Sequence, residues 1–240
     1  MGKKYALADS LYKMEKYKKS LKLMEQLVPV YRGKPQGEKL MFIYANTYYN
    51  LEDYYLAGYQ FERFAQAYPQ SDSIEVASFK AAKSFYQLSP RYSLDQKDTD
   101  KGLEKLQEFI NQYPNSEKRT EANALVAELR GKLEKKQYEV AKQYLRVEDY
   151  KAAIDAFDNF ITDNPGSSYR KDAFYGRFVA AYKLAINSIP VLVQERLRTA
   201  KGYYNNFIKY YKDTDLAPEA LELYQDIESR IVPLETEPNT

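Results

Sequence analysis

The chain has 240 residues with 36 basic and 34 acidic side chains, and its formal charge of +2 gives no strongly basic face of the kind nucleic-acid binding needs. It contains neither Cys nor His, which removes disulfides, thiolate and imidazole metal sites, and the commonest nucleophile and general base together. Nine Gly and ten Pro are too few for the turns of a sheet protein, and no run approaches the ~20 apolar residues that cross a bilayer.

The first segment, Tyr5-Ala8-Tyr12, places an aromatic, a small residue and a Tyr at i, i+3 and i+7, which is one face of a helix. The same set returns 37 residues later as Phe42-Ala45-Tyr49, and again as Phe79-Ala82-Tyr86. A period near 34 residues marks helix-pair repeats of the tetratricopeptide type, so the chain reads as an all-α solenoid. Repeat 1 covers approximately 1–35, and the turn between its helices A and B is Met14-Glu15-Lys16-Tyr17. That turn recurs as Leu51-Glu52-Asp53-Tyr54 and as Val147-Glu148-Asp149-Tyr150. Lys13, Lys16, Lys18, Lys19 and Lys22 cluster around the first of these turns. A solvated helix face and a docking surface for anionic lipid or an acidic partner both fit them.

Repeat 2, approximately 36–71, closes on Phe64-Ala65-Gln66-Ala67-Tyr68-Pro69-Gln70-Ser71. The ending recurs from Phe109 to Ser116, from Phe160 to Ser167 and, more weakly, from Phe207 to Thr214. Proline cannot continue a helix, and the Ser or Thr two residues on can cap the next one, so each ending stops helix B and starts the following helix A. Repeat 3, approximately 72–116, inserts Ser89 to Thr99 between its helices, either as a functional loop or as a solvated excursion capped by Asp98 or Thr99. Repeats 4 (117–167) and 5 (168–214) open with long helices, roughly 118–146 and 168–187. A capping helix at 215–231 and a polar tail at 232–240 complete five repeats. Counted back from Pro69, Ala57, Phe61, Tyr44, Ala45 and Tyr48 take the packing positions, and Ala153, Phe157, Val140, Ala141 and Tyr144 take them counted from Pro165. The ladder loses its regularity after Tyr86, which predicts a division of labour between residues 1–116 and 117–231.

No Ser-His-Asp or Cys-His pair, Gly-rich phosphate loop or His-based metal motif exists, so no catalytic residue is assigned and no cofactor or metal is implied. Asp95, Asp98 and Asp100 before Gly102 do not make a calcium loop, because Lys97 intrudes and no closing Glu follows. Binding remains. The helix A face of repeats 1 to 3 carries Tyr5, Asp9 and Tyr12, then Phe42, Asn46 and Tyr49, then Phe79, Lys83 and Tyr86. Aromatic rungs interleaved with one polar rung per helix suit a peptide, the rings giving area and the polar groups register. Packing of the same rings between neighbouring repeats is the competing reading.

Three features go beyond a generic array: the Ser89-Pro90 to Asp95-Gln96-Lys97-Asp98-Thr99 insertion, the Tyr113-Pro114-Asn115-Ser116 ending, and the long helix from Glu121-Ala122 through Leu129-Arg130, Leu133, Glu134, Tyr138, Val140-Ala141 and Tyr144. With them the chain resembles, over nearly its whole length, the BamD family of tetratricopeptide lipoproteins that assemble β-barrels in the Gram-negative outer membrane. The resemblance implies a non-enzymatic scaffold that binds the barrel-forming BamA-like subunit through the C-terminal repeats. It also implies receipt of the C-terminal aromatic signal of unfolded outer-membrane proteins in the N-terminal repeats, with further lipoproteins as candidate partners. It implies a place on the periplasmic face of the outer membrane, held by lipid on an N-terminal Cys after a signal peptide. Here Met1-Gly2-Lys3-Lys4 leads straight into helix, so the native form is expected to carry that leader and Cys ahead of repeat 1. The helix B position of repeat 4 where a basic contact is expected reads Ala156. A periplasmic tetratricopeptide adaptor in envelope or cell-wall coordination is the alternative reading.

Overall fold

A computed structural model describes residues 2–232, and every regular element in them is a helix. In chain order these are α1 (Gly2–Lys13), α2 (Tyr17–Tyr31), α3 (Pro35–Asn50), α4 (Tyr54–Ala67), α5 (Ile74–Gln87) and α6 (Lys97–Gln112). They continue as α7 (Arg119–Arg146), α8 (Tyr150–Asp163), α9 (Arg170–Ile186), α10 (Pro190–Tyr211) and α11 (Ala217–Arg230). The result is an α-solenoid of antiparallel helix pairs with α11 after the fifth, while the tail from 233 lies outside the described residues. Two compact units divide between Lys132 and Leu133.

Each helix pair is built on the same contacts. Ala8, Ala45, Ala82 and Ala141 on the A helices are all but inaccessible, which lets the paired backbones approach. Three of the A-to-B turns place a Glu in the left-handed region, Glu15 at φ 57°, Glu52 at 62° and Glu148 at 65°. In two of them the following Asp caps helix B, Asp53 accepting from Leu56 N and Asp149 from Ala152 N, each at 3.2 Å. In repeats 2 to 5 one aromatic of helix A packs on the Phe near the end of its own helix B. Phe42 meets Phe64 at 5.4 Å, Phe79 meets Phe109 at 5.2 Å, Tyr138 meets Phe160 at 5.9 Å and Tyr175 meets Phe207 at 5.8 Å. The same contact continues beyond repeat 3 at Tyr138 and Tyr175, out of the 37-residue register that is lost after Tyr86. A constant count of 37 misses it because the insertion and the longer helices shift the register.

The serines after each Pro do a different job from the one expected. The next helices begin three residues later, and Ser71, Ser116 and Ser167 Oγ accept from the backbone N–H two positions on, at 3.1, 3.0 and 3.2 Å, inside the turn. Ser71 and Ser116 also donate to Glu38 and Glu75 at the start of their own helix A, each at 2.6 Å, closing the repeat on itself. The insertion of repeat 3 is likewise organised, and neither Asp98 nor Thr99 stands at the N-cap, which is Gln96. The buried Gln96 amide donates to the carbonyls of Arg91 and Leu94, and its Oε1 accepts from Thr99 at 2.8 Å. Lys132 of α7 then reaches Ser89 Oγ at 2.7 Å. Folding around a buried amide satisfies the loop carbonyls, where a solvated excursion would leave them to water.

α7 explains the break in period. Its first half supplies Ala122, Val126 and Leu129 to the core of Leu106, Phe109 and Ile110, and its second half sets Ala141 and Tyr138 against Ala153, Phe157 and Phe160. Counted forward from Pro114 the small-residue position falls on the exposed Ala127, whereas counted back from Pro165 it falls on the inaccessible Ala141. Only the second half of α7 therefore keeps the helix A register, and the first half packs through Ala122, Val126 and Leu129 instead.

The closeness of the pairs is testable at two glycines. A Cβ on Gly176 would lie 2.5 Å from the ring of fully buried Phe157, whereas one on the helical, exposed Gly202 meets nothing within 4 Å. In urea denaturation Gly176→Ala is expected to lower stability by about 1–3 kcal/mol through overpacking. Gly202→Ala is expected to raise it by about 0.5–1 kcal/mol through helix propensity.

Candidate peptide and partner surfaces

The nine ladder residues lie within the first unit, and most of their surface is already engaged. Phe79 is buried, while Tyr5, Phe42, Tyr12, Tyr49 and Tyr86 are half-buried. Tyr5 packs on Tyr31 at 5.7 Å, and Phe42 and Phe79 hold their own helix B as described. Tyr12 and Tyr49 meet the first residue of helix B edge-on, Tyr17 at 5.6 Å and Tyr54 at 5.4 Å. Burial and then the Glu128 carboxylate push the Tyr86 phenol up to about 12, so it stays a proton donor at neutral pH.

The polar rungs form a separate device. Each one ties its helix A to the next. Asp9 pairs with Lys39 of α3 at 3.2 Å as well as with Lys13 at 2.8 Å, and these two cations hold its carboxyl below the usual range. The buried Asn46 accepts from Lys80 of α5 and donates to the Phe42 carbonyl at 2.7 Å. Lys83 pairs with Glu121 of α7 at 2.7 Å. A side-chain pattern with period 37 thus makes links between neighbours at 30, 34 and 38 residues' separation.

Sequence reading passed over Lys80, which supplies the only cation on Asn46 among the described residues. Its ammonium stands 5.5 Å from the Tyr49 ring centre and 5.9 Å from that of Phe61, and burial followed by the charge of Lys83 lowers its pKa. It also passed over Tyr55, the most exposed ring of α4 at 68%.

The second unit presents a surface of another kind. In repeat 3 a crevice of about 330 Å³ is walled by Ser78 and Ala81 of α5, by Lys105, Glu108 and Phe109 of α6, and by Glu62 and Ala65 of α4, the helix B of the preceding repeat. In repeat 4 a crevice of about 310 Å³ is walled by the equivalent positions, Gln137 and Val140 of α7 with Ala156, Asn159 and Phe160 of α8. There α4 has no counterpart among the walls. The consequence shows in exposure: Tyr44 and Tyr48 of repeat 2 are 9% and 8% accessible, while their equivalents Val140 and Tyr144 are 43% and 39% accessible. Val147, one further turn along, is also exposed, so an apolar stripe at i, i+4 and i+7 stands open. Ala156, where a basic contact was expected, lies in this crevice at the position Lys105 holds in repeat 3, ion-paired with Glu62 at 2.8 Å.

No group of His, Cys, Asp and Glu among the described residues could hold a metal ion, and no helix there is long and apolar enough to cross a membrane. Residues 1–189 match the model of the YfiO family, described as outer membrane lipoprotein. The chain is similar to the outer membrane protein assembly factor BamD of Caulobacter vibrioides, 28% identical over 121 residues. That match takes in 50% of this chain and 39% of the relative, so the chain spans about two-fifths of the length of that protein. Among solved structures, the TPR2AB domain of yeast Sti1 in its pHSP90 complex is 15% identical and covers 95% of this chain and 98% of its own, with a TM-score of 0.44.

The polar ties differ in burial, and so should their removal. Lys80→Met keeps the apolar stem on Tyr49 and Phe61 but leaves the buried Asn46 oxygen without its donor, which is expected to cost about 1–3 kcal/mol in denaturant titration. Lys83→Met breaks a solvated pair with Glu121 and is expected to cost less than about 1 kcal/mol.

Proposed function

The chain belongs to the YfiO family of outer membrane lipoproteins, and on that premise we propose that it is a non-enzymatic scaffold and substrate receptor for β-barrel assembly at the periplasmic face of the outer membrane. The barrel-forming subunit docks on the C-terminal repeats, and the C-terminal signal of an unfolded barrel protein docks on repeats 1 to 3. The observation that carries the scaffold role is the crevice of repeat 4, which lacks the wall that α4 of the preceding repeat gives its equivalent in repeat 3. An apolar stripe of Val140, Tyr144 and Val147 beside small Ala156 is the surface on which a partner segment can replace that helix. With Ala156 in place of the ion-paired Lys105, such a partner gains area at the centre of the crevice, while Lys136 and Asp163 stand as charged residues among its walls.

The receptor role is supported by the half-buried rings of Tyr12 and Tyr49, each at the A-to-B turn of its repeat with part of its surface in solvent. A tyrosine in that state offers area at little entropic cost and keeps a hydroxyl for register. The innermost rung at positions 5, 42 and 79 contributes less, because its rings hold helix B in place.

Co-purification with the barrel-forming subunit tests the scaffold role. Val140→Asp with Tyr144→Asp places charge on exposed positions and is expected to weaken retention by more than about tenfold, the loss of two anchor contacts. Full retention, with an unchanged melting curve, takes repeat 4 out of the interface. Calorimetry with a synthetic C-terminal peptide of an outer-membrane barrel protein tests the receptor role. Tyr12→Ala with Tyr49→Ala is expected to raise Kd about tenfold, equivalent to ~1.4 kcal/mol. An unchanged Kd in a folded double variant removes the ladder from peptide binding.

A further inference from the structure

The charge of this chain is concentrated at one end. Residues 1–35 carry nine basic and three acidic side chains, a net +6, while the other 205 residues carry 27 basic and 31 acidic, a net −4. Lys13, Lys16, Lys18, Lys19 and Lys22 are all exposed around the turn from α1 to α2. Among the described residues only Lys13 of these has a carboxylate within 4 Å, Asp9, which it shares with Lys39. Lys18 and Lys22, one helical turn apart, continue the surface along α2, and Lys16, Lys18 and Lys19 outnumber the one carboxylate, Glu15, in lining an open crevice of about 400 Å³ with Tyr17 and Leu51.

The equivalent turns of the same molecule show that this is a departure from the repeat. Repeats 2 and 4 place Asp53 and Asp149 at the first position before helix B, where each caps the helix. Repeat 1 places Lys16 there, with no side-chain cap. The repeat pattern supplies a better residue for helix stability at this position, and repeat 1 has a cation in its place. Beside it Met14 is 59% exposed at the tip of the turn, and Leu7 stands exposed one face-repeat earlier on α1.

We propose that the α1–α2 turn of repeat 1 is a peripheral membrane-contact surface that takes the phosphates of anionic phospholipids, with Met14 entering the headgroup layer. Flexible ammonium groups spread over an exposed turn match a fluid anionic surface, where each lysine contributes independently and no fixed geometry is required. A single exposed thioether among cations adds shallow insertion, whereas an acidic protein partner would need a packed anchor, and this turn offers no apolar stripe like that of repeat 4. The inference rests on the outer-membrane side of the reading above and is independent of the crevice of repeat 4.

Co-sedimentation of the full chain with vesicles tests it, using phosphatidylcholine alone and phosphatidylcholine with about 30 mol% phosphatidylglycerol, at about 0.1 M salt. Binding is expected only with the anionic lipid, and is expected to fall about tenfold when salt is raised to about 0.5 M. Lys16→Asp is the decisive variant, because it restores the cap of the sister turns and so is expected to raise the melting temperature while weakening vesicle binding about tenfold. Lys16→Asp protein that binds vesicles as the unaltered chain does, or equal binding to both vesicle types, would overturn the proposal. Release from vesicles by millimolar inorganic phosphate at constant ionic strength, or by soluble polyglutamate at concentrations where added salt has no effect, would also overturn it, in favour of an ion site or an acidic partner. Retention of the barrel-forming subunit by Lys16→Asp separates failure of this surface from failure of the scaffold reading.

Discussion

The contact on which the repeats depend is a ring of helix A laid on a phenylalanine of its own helix B. It occurs at 5.2–5.9 Å in four repeats, through Phe42, Phe79, Tyr138 and Tyr175. The receiving residues, Phe64, Phe109, Phe160 and Phe207, are all at most 2% accessible. Full burial of one such side chain contributes about 1.5–3 kcal/mol, several times a solvated ion pair. Everything else in the repeat is arranged around that contact: alanines that let the backbones close, a left-handed Glu that reverses the chain, and a serine that ties the end of helix B back to the start of helix A. A ring that does this work is not free to serve a ligand, which is why the proposed receptor role is assigned to the outer tyrosines.

The same constraint accounts for the interruption at α7. In repeats 2 to 5 the ladder position ahead of helix B is aromatic, whereas the first half of α7 packs through Ala122, Val126 and Leu129 and presents no ring. The second half returns to the register at Tyr138 and Ala141, and beside it Val140, Tyr144 and Val147 stand open to solvent. The boundary of the two compact units at Lys132 and Leu133 falls between these halves.

Helix pairing was legible in the sequence because its signals are local. Proline stops, A-to-B turns and small residues at fixed offsets predicted five helix pairs and a capping helix, and the three helices given ranges, 118–146, 168–187 and 215–231, lie within about two residues of α7, α9 and α11, the ordinary ambiguity of helix termini. What depends on a neighbour 30 or more residues away was not legible. That Asn46 is buried against Lys80 follows from the stacking of α3 on α5, and no periodicity of either helix announces it. Gln96 as the organiser of the insertion was hidden because glutamine is a poor cap, and its role comes from three carbonyls and Thr99 converging on one buried amide. The crevice of repeat 4 was hidden for the opposite reason. Val140, Ala141 and Tyr144 match the packing pattern, and a matched pattern does not say whether the helix that should pack there exists.

The two departures from the repeat therefore call for different kinds of explanation. The open crevice of repeat 4 leaves apolar surface exposed to water, an unfavourable state that a partner relieves by burying it, so the effect is on association. A missing cap at Lys16 weakens one helix end and adds a cation that has no carboxylate within 4 Å among the described residues. Stability alone would favour Asp at that position, as Asp53 and Asp149 do in the sister turns. Selection for stability cannot produce either feature, and in a scaffold whose repeats otherwise close on themselves, such places are where contact with something outside the chain is to be sought.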